Sequence, residues 1–134
     1  MPYLQIDHAS KSFPSHTGEG EVCIFNDVTI KIEQGEFVTV IGHSGCGKST
    51  LLNIIAGLDT ASEGGVILEG KEVVGPGLDR MVVFQNFSLM PWMTVFENIA
   101  LAVRSAYPDW SQTQVADHVN KYIALVGLKG AETK

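Results

Sequence analysis

Cysteine is scarce. Cys23 and Cys46 are the only two, and neither stands in a CxxC pair or beside a histidine cluster, which excludes a disulfide framework and a zinc site. Both read as reduced, small side chains. Basic charge is also in short supply, with nine Lys and Arg against fifteen Asp and Glu and a formal charge of −6. No segment gathers cations into the stripe that neutralises a duplex, so nucleic acid is excluded as a partner. Long apolar runs are missing too: Leu51 to Leu58 and Ile99 to Val103 are too short or too interrupted to cross a hydrocarbon layer about 30 Å thick. The N-terminus, Met1 to Asp7, has neither the cationic start nor the apolar stretch of a signal peptide, so the cytosol is the expected compartment. No internal repeat or low-complexity tract appears.

What is present suits one domain, since 134 residues with 45% apolar content can bury a single core. Tyr3, Leu4 and Ile6 begin one strand-like stretch, and Val22, Ile24, Phe25, Val28, Ile30 and Ile32 form a longer one. The polar, Gly-containing segment Pro14 to Gly20 between them reads as a loop, so an antiparallel β layer is expected at the front. Phe37-Val38-Thr39-Val40-Ile41 is a short β-branched run expected to form a strand buried inside a sheet. After a Gly-rich loop, Leu51, Leu52, Ile54, Ile55 and Leu58 recur at helical spacing, with Gly57 placed to end that helix. Val66-Ile67-Leu68 predicts another strand, Gly75-Pro76-Gly77 a turn, and Met81-Val82-Val83-Phe84 a further buried strand. Thr94 followed by Glu97 predicts a capping box and a helix running to the break at Tyr107-Pro108-Asp109. From Ser111 to about Val126, Val115, Val119, Tyr122, Ile123 and Val126 share one helical face that closes at Gly127.

Between the Phe37–Ile41 run and the following helix lies Gly42-His43-Ser44-Gly45-Cys46-Gly47-Lys48-Ser49, which satisfies G-x-x-x-x-G-K-[ST] at every fixed position. A polyphosphate needs several backbone N–H groups aimed inward, and Gly45 and Gly47 supply the freedom to aim them. The helix start adds unpaired N–H groups and a positive dipole end. Lys48 would bridge the β- and γ-phosphates, Ser49 would offer its hydroxyl to Mg²⁺, and Thr50 would reach the α-phosphate side. His43 has no second ligand nearby and contributes backbone only.

Small-molecule kinases usually carry this loop straight after a first strand near the N-terminus; here a stretch of strand-type sequence from Tyr3 to Ile32 comes first. The order of features instead resembles the ATP-binding subunit of ABC transporters, over nearly the whole chain up to about Lys129. Gly42 to Thr50 resembles that family's narrower GxSGxGKST form. Phe13 is similar to the family's aromatic that stacks on adenine, and Val82-Val83-Phe84-Gln85 to its Q-loop, where Gln85 would point toward Mg²⁺ and the γ-phosphate. The resemblance implies an α/β fold: a P-loop NTPase core with an N-terminal antiparallel β layer and the start of a helical subdomain. Residues 1–134 would then be the N-terminal part of one ATPase domain, with the β layer and nucleotide-binding core at 1–85 and the helical subdomain beginning at 86.

The same resemblance implies ATP and Mg²⁺ as ligands. It also implies a membrane-spanning permease subunit and a second ATPase subunit in a head-to-tail dimer as partners, and a substrate-binding protein as an indirect one. The location implied is peripheral, on the cytoplasmic face of the plasma (inner) membrane. Asn86 to Ile99 is rich in Met and aromatic residues, and Met90, Trp92 and Met93 suit either docking on the permease or packing within the subdomain. The wording Leu89 to Ile99 is most similar to importers of nitrate, bicarbonate and cyanate, with taurine and sulfonate importers near; nitrate or nitrite is the expected cargo. The family's acidic strand end, its LSGGQ-type signature and its switch His are not found, and Val66-Ile67-Leu68-Glu69 follows Gly65 in the manner of the early β layer. The expectation is therefore a truncated chain with no catalytic residue of its own, which cradles phosphates while the full subunit hydrolyses ATP. A short, non-hydrolysing nucleotide-binding adaptor is the alternative.

Overall fold

The computed structural model describes residues 1–134 and divides into two compact units, Met1–Val82 and Val83–Lys134. In the first, strands β1 (Leu4–Pro14) and β2 (Glu21–Ile32) form a long antiparallel hairpin, followed by helix α1 (Lys48–Ala56) and strands β3 (Glu63–Leu68) and β4 (Lys71–Glu72). The sheet order is β2-β1-β3-β4, all antiparallel. Glu69 takes a positive φ of 47° between β3 and β4, which places it in the tight turn joining them. The front β layer is therefore as the alternating residues predict, with Tyr3 just outside it.

Helix α1 lays Leu51 and Ile54 onto Ile6, Ala9 and Val66 of the sheet, with Phe25, Val28 and Ile30 packed around them. Burying each of those two large aliphatic side chains contributes about 1.5–3 kcal/mol. Gly57 ends the helix at φ 76°, its N–H returning to the Ile54 carbonyl at 3.1 Å. This is the left-handed termination that a glycine permits.

The β1–β2 pairing is interrupted by bulges. Pairs Lys11↔Phe25 and Ser12↔Cys23 leave Ile24 as an extra residue in β2, and such an insertion bends the strand and re-aims the side chain. A second irregularity between Ile6 and Ala9 involves His8, and a third involves Asp27; these two residues hold positive φ, 48° and 54°. Their side chains meet, His8 Nδ1 and Asp27 Oδ1 lying 2.5 Å apart.

Two expected strands are not formed. Phe37–Ile41 and Met81–Phe84 take no sheet pairing, and Phe37, Ile41, Met81 and Val83 are each about nine-tenths exposed. The expectation of two buried strands is therefore corrected: apolar, β-branched composition is not enough, because a strand exists only when its N–H and C=O groups find a neighbour, and the four-stranded layer offers these segments none.

In the second unit, α2 (Val95–Ala106) and α3 (Gln112–Leu125) pack through Ala100, Val103, Val115, Val119 and Ile123. Thr94 and Glu97 form the expected capping box. Ser111 and Gln114 form a second one, which the Ser-x-x-Gln spacing also encodes. Tyr107 and Trp110 stack at 4.0 Å in the connection between the helices.

Candidate functional site: a glycine loop at an uncapped helix start

The loop Gly42–Gly47 delivers the chain into α1 with Gly45 at φ 80° and Gly47 at φ 96°. Gly45 has open space around it, so only its backbone angle demands glycine. At Gly47 two demands coincide, because a Cβ there would also lie 2.7 Å from Ile24 Cγ2 and 3.3 Å from Phe25 Cδ1. The β2 bulge thus brings Ile24 against the loop, and β2 backs the first turn of α1.

That first turn is left open. Gly47 occupies the N-cap with no side-chain cap hydrogen bond, and no acidic residue stands in the turn. Both other helices carry full capping boxes and an occupied N-cap side chain. The first intrahelical bond is donated by Leu51 N to the Gly47 carbonyl at 2.9 Å, so the N–H groups of Lys48, Ser49 and Thr50 have no helical acceptor. They form, with the positive dipole end, an anion-attracting surface.

Lys48 folds back across the loop. Its Nζ donates to the carbonyls of Gly42 and His43, both at 2.7 Å, and stands 3.5 Å from Cys46 Sγ. An open cleft of about 190 Å³ beside the loop is lined by Ile24, Gly45, Gly47, Lys48, Ser49 and Thr50. His43 turns its ring to the Ser44 carbonyl, with Nδ1 2.9 Å from that oxygen. A larger cleft of about 520 Å³ runs beside β4 and the Gly75–Arg80 loop. Its charged lining mixes Glu69, Glu72 and Asp79 with Lys71 and Arg80, so it lacks the net positive field that a polyphosphate needs.

Phe13 lies at the end of β1 opposite Val22, two residues along β2 from Ile24, and is 40% exposed. The hairpin therefore brings it to the edge of the unit that also carries the glycine loop. One neighbour escaped sequence reasoning: Lys11, whose Nζ sits 4.8 Å from the Phe13 ring centroid. The same Nζ donates to Asp59 Oδ1 and to the Thr60 carbonyl, each at 2.7 Å. The hydrogen bond from Lys11, more than its charge, holds the Asp59 carboxyl below the ordinary aspartate range, outweighing the opposing effect of partial burial. A lysine and an aspartate 48 positions apart carry no joint sequence signal.

Gln85, Met90, Trp92 and Met93 belong to the other unit. Gln85 is exposed in a bend and not at a strand end, a correction that follows from the unpaired Met81–Phe84 segment. Trp92 is 76% exposed, whereas Met90 and Met93 are half-buried. The loop carrying them is fixed by a residue that sequence reasoning passed over, Asn98 of α2. Its Oδ1 accepts from Met90 N at 2.8 Å, and its Nδ2 lies 3.2, 3.1 and 3.0 Å from the carbonyls of Met90, Met93 and Thr94.

No helix is long and apolar enough to cross a membrane. No three His, Cys, Asp or Glu side chains are grouped to hold a metal ion. A cation at the loop would therefore depend on oxygen donors such as the Ser49 hydroxyl, with phosphate and water completing its shell, which is the hard, oxygen-rich coordination that suits Mg²⁺.

A family model described as ABC transporter matches residues 25–134. A nitrate import ATP-binding protein of Synechocystis sp., NrtC, is 52% identical over all of this chain and 20% of its own length. A bicarbonate transport ATP-binding protein of Synechococcus elongatus, CmpC, is 49% identical over 98% of this chain and 20% of its own. The chain thus spans about a fifth of each of these relatives. Among solved structures, the ATP-binding cassette MJ0796, a dimer in a post-hydrolysis state bound to ADP and Pi, superposes with a TM-score of 0.81 at 29% identity. That match covers 98% of this chain and 61% of the cassette.

Proposed function

This chain belongs to the ABC transporter family, matched over residues 25–134, and on that premise we propose that it carries the phosphate-binding part of an ATP-binding, energy-coupling subunit of an anion importer. The observation that carries the proposal is the uncapped start of α1 behind Gly45 and Gly47, with the Lys48 ammonium held on the Gly42 and His43 carbonyls of the same loop. In this reading the N–H groups from Gly45 to Thr50 receive the β-phosphate, Lys48 spans the β- and γ-phosphates, and the adenine stacks on Phe13. The Ser49 hydroxyl would hold Mg²⁺, which supplies charge neutralisation between the phosphates. Gly42, His43, Ser44 and Cys46 serve as backbone that sets the curve of the loop.

Met90, Trp92 and Met93 form the docking knob for a membrane-spanning permease subunit, presented by Asn98. An exposed tryptophan held on a hydrogen-bonded loop supports that role. Residues 1–85 and 86–134 are the core and the start of the helical subdomain, and a second ATPase subunit completes the dimer, as the dimeric cassette suggests. The subunit works at the cytoplasmic face of the inner membrane. Nitrate or nitrite is the cargo in the first reading, and the nearly equal identity to a bicarbonate transport protein favours bicarbonate as the second.

The test is uptake of labelled nitrate and labelled bicarbonate in cells lacking the gene, complemented with the wild-type or the Lys48→Ala coding sequence. Restored nitrate uptake that depends on Lys48 is the expected result. Restoration of bicarbonate uptake alone reassigns the cargo, and restoration of either by Lys48→Ala removes the energy-coupling role.

A further inference from the structure

We propose that Lys11 is a positioning residue for nucleotide binding: it fixes the Phe13 ring as a base platform and ties that platform to the helix bearing the phosphate loop. The inference rests on the reading of Phe13 as the adenine-stacking residue.

Lys11 is 8% exposed, and a buried ammonium persists only when its donors are satisfied. An ammonium has three N–H donors. Two go to Asp59 Oδ1 and the Thr60 carbonyl, and Nζ lies over the face of the Phe13 ring, within the range of a cation–π contact. Lys11 and Phe13 are two apart on β1, so their side chains leave the same face of the strand. Asp59 and Thr60 follow directly on α1, and Leu58 N and Asp59 N bond back to the Asn53 carbonyl at 2.9 and 3.3 Å. One ammonium therefore joins the aromatic ring to the C-terminal end of the helix whose N-terminal end abuts Ile24 and Phe25 at Gly47. With a cation over one ring face, the ring's rotamer is restrained. The 40% exposure of Phe13 leaves surface for a base on the other face.

Calorimetric titration of the 134-residue chain with ATP and, separately, with inorganic tripolyphosphate distinguishes the roles, because only ATP has a base. Phe13→Ala should weaken ATP about 5- to 100-fold and leave tripolyphosphate unchanged. Lys11→Met should weaken ATP about three- to fivefold with tripolyphosphate held within about twofold. Lys11→Arg, whose guanidinium stacks on aromatic rings, should restore ATP affinity. Retained tripolyphosphate binding in each variant shows that the loop is folded. If Lys11→Met does not fold, Asp59→Asn, which loosens the ammonium without removing it, carries the same comparison. Equal weakening of both ligands makes Lys11 a structural strut and overturns the proposal, as does wild-type ATP affinity in Lys11→Met beside a weakened Phe13→Ala. Wild-type ATP affinity in Phe13→Ala overturns the stacking reading beneath it instead.

Discussion

Alanine substitution at the two loop glycines separates backbone strain from steric exclusion. At Gly45, φ is 80° and a Cβ meets nothing within 4 Å, so Gly45→Ala should cost only the left-handed penalty, about 1–2 kcal/mol. At Gly47, φ is 96° and the new Cβ falls 2.7 Å from Ile24 Cγ2, which adds an overpacking cost of about 1–3 kcal/mol. The expected total for Gly47→Ala is about 2–5 kcal/mol. A double-mutant cycle isolates the second part, because Ile24→Ala removes Cγ2 and leaves the backbone angle untouched. Urea unfolding of the wild type, Gly45→Ala, Gly47→Ala, Ile24→Ala and the Ile24→Ala/Gly47→Ala pair should give a favourable coupling of about 1–3 kcal/mol. Equal costs at the two glycines, or no coupling to Ile24, would refute the argument that the β2 bulge presses on the loop.

Two further outcomes follow from local contacts. Asn98→Ala strands the Met90 N–H and the Met93 carbonyl in a half-buried loop, the Met90 and Thr94 carbonyls keeping the backbone donors of Met93 and residue 98, and a thermal melt should show destabilisation of about 1–3 kcal/mol, whereas Trp92→Ala, at an exposed position, should change stability by less than about 0.5 kcal/mol. The His8 imidazole is raised above its ordinary value of 6.5, first by the hydrogen bond to Asp27, then by the charges of Asp27 and Asp7. A raised folded-state value means that the pair's stabilisation is present below pH 6.5 and is lost as pH rises through the raised value. Imidazole proton NMR should show His8 titrating closer to 6.5 in Asp27→Asn, and an unmoved titration would remove Asp27 as the cause.

The sequence was most legible where chemistry is contiguous. Gly42 to Thr50 could be placed between a strand-type run and a helix because spacing, glycine and lysine all act within one turn of chain. Thr94 with Glu97, and Gly57 after Ala56, were readable for the same reason: caps are local hydrogen bonds. Phe37–Ile41 and Met81–Phe84 illustrate the limit. Their composition announces strands, yet pairing is a property of two segments, and one segment cannot report whether its partner is present. The His8–Asp27 bulges and the Lys11–Asp59–Phe13 cluster were hidden similarly, since register irregularities and contacts across β1, β2 and the end of α1 leave no periodic trace. Ser111 with Gln114 stands apart, being a local pattern that was legible and passed over.

The central claim is that the loop ahead of α1 receives a nucleotide's phosphates through its N–H groups and Lys48, and calorimetric titration of the wild type and Lys48→Ala with ATP tests it directly. Saturable binding that weakens about 10- to 100-fold in the variant, as expected for losing a hydrogen-bonded charge, is the predicted result. ATP affinity unchanged by Lys48→Ala would contradict it.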